Sequence, residues 1–292
     1  MSLPLGGLAT LASLLEASAP KPGNVAPGRP FRDMRFEEFA TSAAAIGPEF
    51  ARAGERPVGE TILAAVRARR AVVAANTNLG IILLLAPLAQ AAARRAAGGS
   101  PLRTEVAAVL AATTVEDARL AYRAIREAAP GGLGTAGAQD LAGEPTVTLR
   151  EAMALAAGRD SVAREYATGF QLTFEVGVPA VRAARAAGAS WADAAVAAYL
   201  ALLAAAPDTL IARKLGWAAA EAVSAEARAI LALDGPAHPE AAARIAAFDL
   251  SLRDPQNSRN PGTSADLTAA ALFAVLAEDA VAADSPRMPR AQ

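Results

Sequence analysis

The chain has 292 residues, 53% hydrophobic and 20% charged, with a formal net charge of −1 from 28 basic and 29 acidic side chains. So even a balance argues against a nucleic-acid binder, which carries a basic patch or stripe, and the apolar content is ample for a large buried core. The lack of cysteine excludes disulfides, thiolate nucleophiles and Cys-ligated metals, and a single histidine, His238, sets aside a histidine triad or a multi-His metal centre.

The first residues lack the basic stretch of a secretory signal, and the default compartment is the cytoplasm. A short apolar segment is followed by "SAPKPGNVAPGRPFRDM" at 18–34, which places four prolines between two helical segments. Phe36, Phe39, Ala43, Ile46 and Phe50 then step by three and four along one helix face, and Val58, Ile62, Ala65, Val66, Val72 and Val73 do the same. The most apolar run, "LGIILLLAPLA" at 79–89, falls short of the roughly 20 residues that span a bilayer and reads as a buried core helix.

Ser100-Pro101 opens another helix, with an N-cap and a first-turn proline. Thr113 with Glu116, Thr148 with Glu151 and Ser190 with Asp193 have the spacing of capping boxes, and Gly158 and Gly188 suit helix C-termini. Further helices are expected over 161–175, 178–187, 191–206, 209–233, 239–252 and 265–280. No period-two strand appears. The expected fold is all-α, a single compact domain of about ten to twelve helices over residues 1–284, with a disordered tail at 285–292. The irregular stretch 130–146 is either a linker or a functional loop, ending in Gln139-Asp140.

Two scarcities mark positions of interest. Only Lys21 and Lys214 are lysine among the 28 basic residues, in a chain where arginine serves elsewhere; lysine is a compact point charge and arginine a wide fork. The five asparagines, Asn24, Asn76, Asn78, Asn257 and Asn260, all fall in loops. Polar chemistry gathers at six helix junctions: "PKPGN" at 20–24, "RDM" at 32–34, "NTNLG" at 76–80, "QDL" at 139–141, "PDTLIARK" at 207–214 and "NSRNPGTSADL" at 257–267. No Walker loop, dinucleotide glycine fingerprint or paired-aspartate DDxxD motif is present. What remains is a set of helix N-termini offering N–H groups to anions. Each junction also has a structural reading. Thr263 with Asp266 has capping-box spacing, Asp208 can cap the helix from Thr209, Asn78 can cap the helix from Leu79, and Arg213 can pair with Asp208.

"PKPGNV", "DM", "NTNLG", "DTLIARK" and "NPGTSADL", in this order over about residues 14–275, resemble the triphosphoribosyl-dephospho-CoA synthase family. The resemblance implies an all-α transferase. Such an enzyme takes ATP and 3′-dephospho-CoA, releases adenine and joins the triphosphoribosyl group to a ribose hydroxyl, making a prosthetic-group precursor. The chain departs from the family pattern at Phe31 and Asn78, where histidine is usual, at Leu79, where lysine is usual, and at Thr263, where glycine is common. In these it looks more like a branch linked to methanopterin-dependent one-carbon metabolism. That implies an alternative: another Mg-dependent enzyme acting on a phosphorylated precursor of such a cofactor. A non-enzymatic helical protein is the third reading.

Cleaving a ribose–adenine bond builds positive charge on the sugar, and carboxylates stabilise that charge and move protons. Asp33, Asp140 and Glu165 are the catalytic candidates, with Glu175 behind them. Asp208 and Asp266 are assigned to Mg²⁺, which prefers carboxylate and water ligands. Lys21, Arg213 and Lys214 would hold phosphate oxygens. Gly23, Asn24, Asn76, Thr77, Asn78, Asn260, Gly262, Thr263 and Ser264 would complete the nucleotide site. Partners are expected to be small molecules, ATP and a cofactor precursor, with no nucleic acid and no membrane; a homodimer is left open.

Overall fold

The computed structural model describes residues 3–128, 139–233 and 239–284. Among them are fourteen α-helices and no strand. The first six are α1 (Leu5–Ser18), α2 (Phe36–Phe50), α3 (Val58–Arg70), α4 (Leu79–Ala96), α5 (Leu102–Ala111) and α6 (Val115–Ala128). Next come α7 (Leu149–Ala156), α8 (Ser161–Thr168), α9 (Val178–Ala186), α10 (Trp191–Ala205) and α11 (Thr209–Leu215). The last are α12 (Trp217–Leu231), α13 (Pro239–Leu252) and α14 (Gly262–Asp284). The expected tail at 285–292 and His238 lie outside the described residues.

The all-α fold is present, with more helices than the periodicity suggested because glycines cut two expected ones. Gly169, at φ +68°, ends α8, and a π turn at Thr173–Gly177 leads into α9. Gly216, at φ +88°, separates α11 from α12. These backbones lie in the left-handed region that favours glycine. The box at Thr148 forms, whereas Ser190 caps its helix through Asp193 N alone, its hydroxyl donating to the Asp193 carboxylate. The one expected at Thr113 is moved by one residue: Thr114 and Asp117 exchange the bonds, because Asp117 also accepts from Gly59 N at 2.8 Å and so caps α3 as well as α6. Gly188 takes a left-handed conformation as a C-terminal cap does, whereas Gly158 is not among the positive-φ glycines.

Two helices form the centre. α14 is apolar around its circumference from Leu267 to Ala277, and α4 buries Ile82, Leu84, Leu85, Leu88 and Ala89 completely, as a helix hydrophobic all round must. By length and composition α4 could cross a membrane; here α1, α3, α5 and α14 pack around it. The loop after α1 is fixed by long-range bonds: Tyr199 OH donates to Pro22 O at 2.7 Å, Gly23 N to Asp249 at 2.8 Å, and Arg253 to Asn24 O at 2.9 Å. This packing brings the end of α1 and the starts of α4, α8, α11 and α14 to one side of the core, where they enclose a cavity.

Candidate active site

The cavity has a volume of about 790 Å³. Its polar part is built from the last turn of α1, the 75–80 loop, the first turn of α8, the α11 cations and the approach to α14. Its apolar part is lined by Ile125 of α6, by Ala152, Met153 and Leu155 of α7, and by Leu141. Asp33 and Asn24 on the first loop and Gln139-Asp140 on the second complete the rim.

Asp266 is the most exposed to electrostatic stress. It lies at the start of the second turn of α14, half-buried, and has no hydrogen bond or ion pair among the described residues. It is not the cap its spacing suggested, since the Thr263 hydroxyl pairs with Thr209 at 3.2 Å. The carboxylate lies on the first turn of α4, so close to Gly80 that a Cβ there would sit 2.0 Å from Oδ2. Burial, followed by the charges of Glu16, Asp208 and Asp160, pushes its carboxyl well above the usual range, with Arg213 opposing.

Two neighbouring acids were missed from sequence. Glu16 lines the cavity and pairs with Lys21 at 2.9 Å. Its signal was an acid in the last turn of a helix, where the dipole disfavours negative charge. Asp160 caps α8 through Ala163 N and gives its other oxygen to Arg213. The pattern Gly158-Arg159-Asp160 before a helical run could have shown it.

Lys214 donates to Asn257 O at 2.9 Å, and Asn257 Nδ2 reaches Asp33 at 3.0 Å. Burial pulls the Lys214 ammonium below its ordinary value, with Asp254 and Asp208 opposing. Asn76 accepts from Leu79 N at 3.3 Å, Thr77 bonds Ser42 at 2.6 Å, and Asn24 donates to Tyr199 and Pro22 at 3.1 and 3.2 Å. Asp140 faces the apolar end and accepts from Ala142 N. Asn260, Gly262 and Thr263 also line the cavity.

Five expected site residues are placed elsewhere. Lys21 is buried behind Glu16 and is not on the cavity wall, so it cannot reach a phosphate there. Gly23 serves its turn, at φ +73° with Leu252 against it. Asp208 is sealed beneath the cavity: Leu210 N, Ile211 N, Ser264 N and Ser264 Oγ all donate to it. It stitches the starts of α11 and α14 together, which also uses up Ser264 and leaves no lone pair directed at a metal. Glu165 is fully buried and accepts from Leu172 N and Thr173 N at 2.9 Å each, holding the start of the π turn. Glu175, held in reserve, is an exposed partner of Arg103.

Five acids, Glu16, Asp33, Asp140, Asp160 and Asp266, face the cavity against three cations, Arg159, Arg213 and Lys214. Among the described residues no three acids come close enough to cage a metal ion unaided. Mg²⁺ bound by substrate phosphates needs only one or two protein carboxylates, and Asp266, unpartnered and crowded by like charge, has the donor chemistry for it. Convergent helix starts, paired and unpaired acids and three basic side chains around one cavity suit an all-helical enzyme for a charged small molecule.

The chain belongs to the ATP:dephospho-CoA triphosphoribosyl transferase family, whose sequence pattern matches residues 3–285. It is a transferase of the triphosphoribosyl-dephospho-CoA synthase kind. A crystal structure from Archaeoglobus fulgidus, provisionally named a triphosphoribosyl-dephospho-CoA synthase, is 27% identical and superposes with a TM-score of 0.62 over 81% of this chain and 97% of that one. No curated protein matches the chain significantly.

Proposed function

We propose that this enzyme transfers the triphosphoribosyl group of ATP to a hydroxyl of dephospho-CoA. The ribose C1′–N9 bond breaks, adenine leaves with a proton, and a C1′–O bond forms as the acceptor hydroxyl gives up its proton. Glu16 and Asp160, each held by a cation at its back, present negative charge to the sugar as positive charge develops there. Asp33 and Asp140 stand at the rim, where a proton can be passed to or taken from solvent. Arg213 and Lys214 bind phosphate oxygens. Mg²⁺, when bound with the triphosphate, would neutralise phosphate charge, and Asp266 is the residue that would hold it. Use of ATP, an intracellular nucleotide, supports a cytoplasmic location.

The carrying observation is that one cavity collects the polar ends of α1, α4, α8, α11 and α14. The test is incubation with Mg-ATP and dephospho-CoA followed by chromatography. Adenine should appear only with both present. Release of ADP or AMP in place of adenine sinks the reading.

A second reading concerns the acceptor. Phe31, Asn78, Leu79 and Thr263, the positions where the chain departs from the family pattern, all line this cavity. That supports a different phosphorylated precursor, of the one-carbon cofactor type, and the same assay with such acceptors separates the two.

A further inference from the structure

Asn78 occupies the N-cap position of α4, yet its side chain does not cap the helix. It is 4% exposed and lines the cavity. Neither its amide oxygen nor its amide nitrogen has a hydrogen-bond partner among the described residues. The neighbours in the same loop behave differently: Asn76 and Thr77 are both engaged by protein groups. A buried amide with two unmet bonding groups weakens the fold, so its presence at a cavity wall points to a ligand that supplies one donor and one acceptor side by side.

The surroundings narrow that ligand. Leu79, Ile81 and Leu83 continue from Asn78 along α4 and line the same cavity, as do Val162 and Ala163 of α8. A phosphate offers acceptors only, which would leave the amide oxygen unmet. A flat heterocycle suits the site: its faces lie on aliphatic side chains, and its edge meets the amide. Adenine presents an amino donor beside a ring-nitrogen acceptor, the edge that asparagine pairs with bidentately.

We propose that Asn78 is the specificity-determining residue that reads the adenine edge of the nucleotide, taking the N6 amino hydrogen on Oδ1 and giving an Nδ2 hydrogen to the adjacent ring nitrogen. The proposal rests on the reading of ATP as the donor substrate. It accounts for a residue that neither caps its helix nor bonds its neighbours, and it gives the departing adenine a fixed orientation.

The test measures binding of Mg-ATP and of the Mg complex of purine riboside triphosphate, which lacks only the amino group. Calorimetry on the full chain and on Asn78→Leu, with melting curves of both, supplies the data. The parent should bind ATP at least about tenfold tighter than the analogue, which is ~1.4 kcal/mol. Asn78→Leu should erase the contrast between the two nucleotides, with ATP losing more affinity than the analogue, which loses only the ring-nitrogen bond, and should melt no lower than the parent, since a buried unpaired amide is removed. Equal binding of the two nucleotides by the parent overturns the proposal. So does a contrast that survives in Asn78→Leu, or a parallel loss of both nucleotides, which would assign Asn78 to ribose or phosphate. A parent that binds no ATP overturns this proposal and the donor assignment together. Adenine-edge selectivity without adenine release would leave this proposal standing and remove the transfer reaction.

Discussion

Lys21 and Glu16 form a buried ion pair at the end of α1, with Nζ 2.9 Å from Oε1, the lysine inaccessible and the glutamate on the cavity wall. The ammonium also donates to the backbone carbonyls of Glu16 and Ala19. It thus neutralises a helix C-terminus and an adjacent carboxylate at once. This explains why lysine survives in an arginine-rich chain: three acceptors converge on one point, which suits an ammonium and not a planar fork. Lys21→Met strands the Glu16 charge, and a buried charge left without its partner costs about 3–5 kcal/mol. Lys21→Met with Glu16→Gln should recover much of that loss. Urea denaturation of the two variants decides; a neutral Lys21→Met would mean that Glu16 reaches solvent.

Gly80 and Asp266 predict two effects in opposite directions. A Cβ at Gly80 cannot coexist with the Asp266 carboxylate, so Gly80→Ala should displace it and lower adenine release at least about tenfold, ~1.4 kcal/mol in barrier, while circular dichroism stays helical. Asp266→Asn removes an acid whose folded pKa is raised by burial and by neighbouring acids. The folded state then binds that proton more tightly than the unfolded chain, so ionisation weakens the fold as pH rises above about 4. In metal-free buffer, Asp266→Asn should melt above the parent at pH 7 and level with it at pH 3. Its affinity for Mg-ATP should nonetheless fall.

Asp208 gives the control. Its four donors come from two helix starts. Asp208→Ala loses a cap on each of α11 and α14 and should cost at least about 2 kcal/mol. In the fraction that remains folded, Mg-ATP affinity should stay within about twofold. A stable Asp208→Ala protein with weakened metal dependence would return Asp208 to the metal site.

Away from the cavity, Glu127 on α6 receives Arg67 of α3 at 2.8 Å and Arg123 at 3.1 Å. Those bonds, Arg67 first, hold its carboxyl at about 2 against the opposing effect of burial. A lowered folded pKa stabilises above the unfolded value of about 4.3, and that contribution fades as pH falls towards 2. The cluster is partly exposed, so about 1 kcal/mol is expected. Glu127→Gln should therefore be less stable than the parent at pH 7 and match it near pH 2. An equal deficit at both pH values would assign the loss to packing.

Sequence alone determined the helical class, since apolar residues at three- and four-residue spacing can form one buried face only as helices. It also located most of the cavity rim, because Asn76, Asn78, Lys214, Asn260 and Asp266 lie at junctions where ordinary helix packing has no use for them. It could not rank the chemistry of similar residues there. Asp208 and Asp266 both lie close to helix starts and look alike in sequence. Only the fold sends four donors to Asp208 and none to Asp266. Lys21 looked like a phosphate ligand because its proline-flanked loop is local information, whereas its partner Glu16 sits one helical turn back, on a side chain whose direction is set by how α1 packs on α14 and α10. Charge pairing and burial are properties of distances across the chain. Hydrophobic period and turn chemistry are properties of neighbours along it. Hence the elements could be read from the sequence, while which acid is satisfied and which is left for a ligand was decided only by tertiary structure.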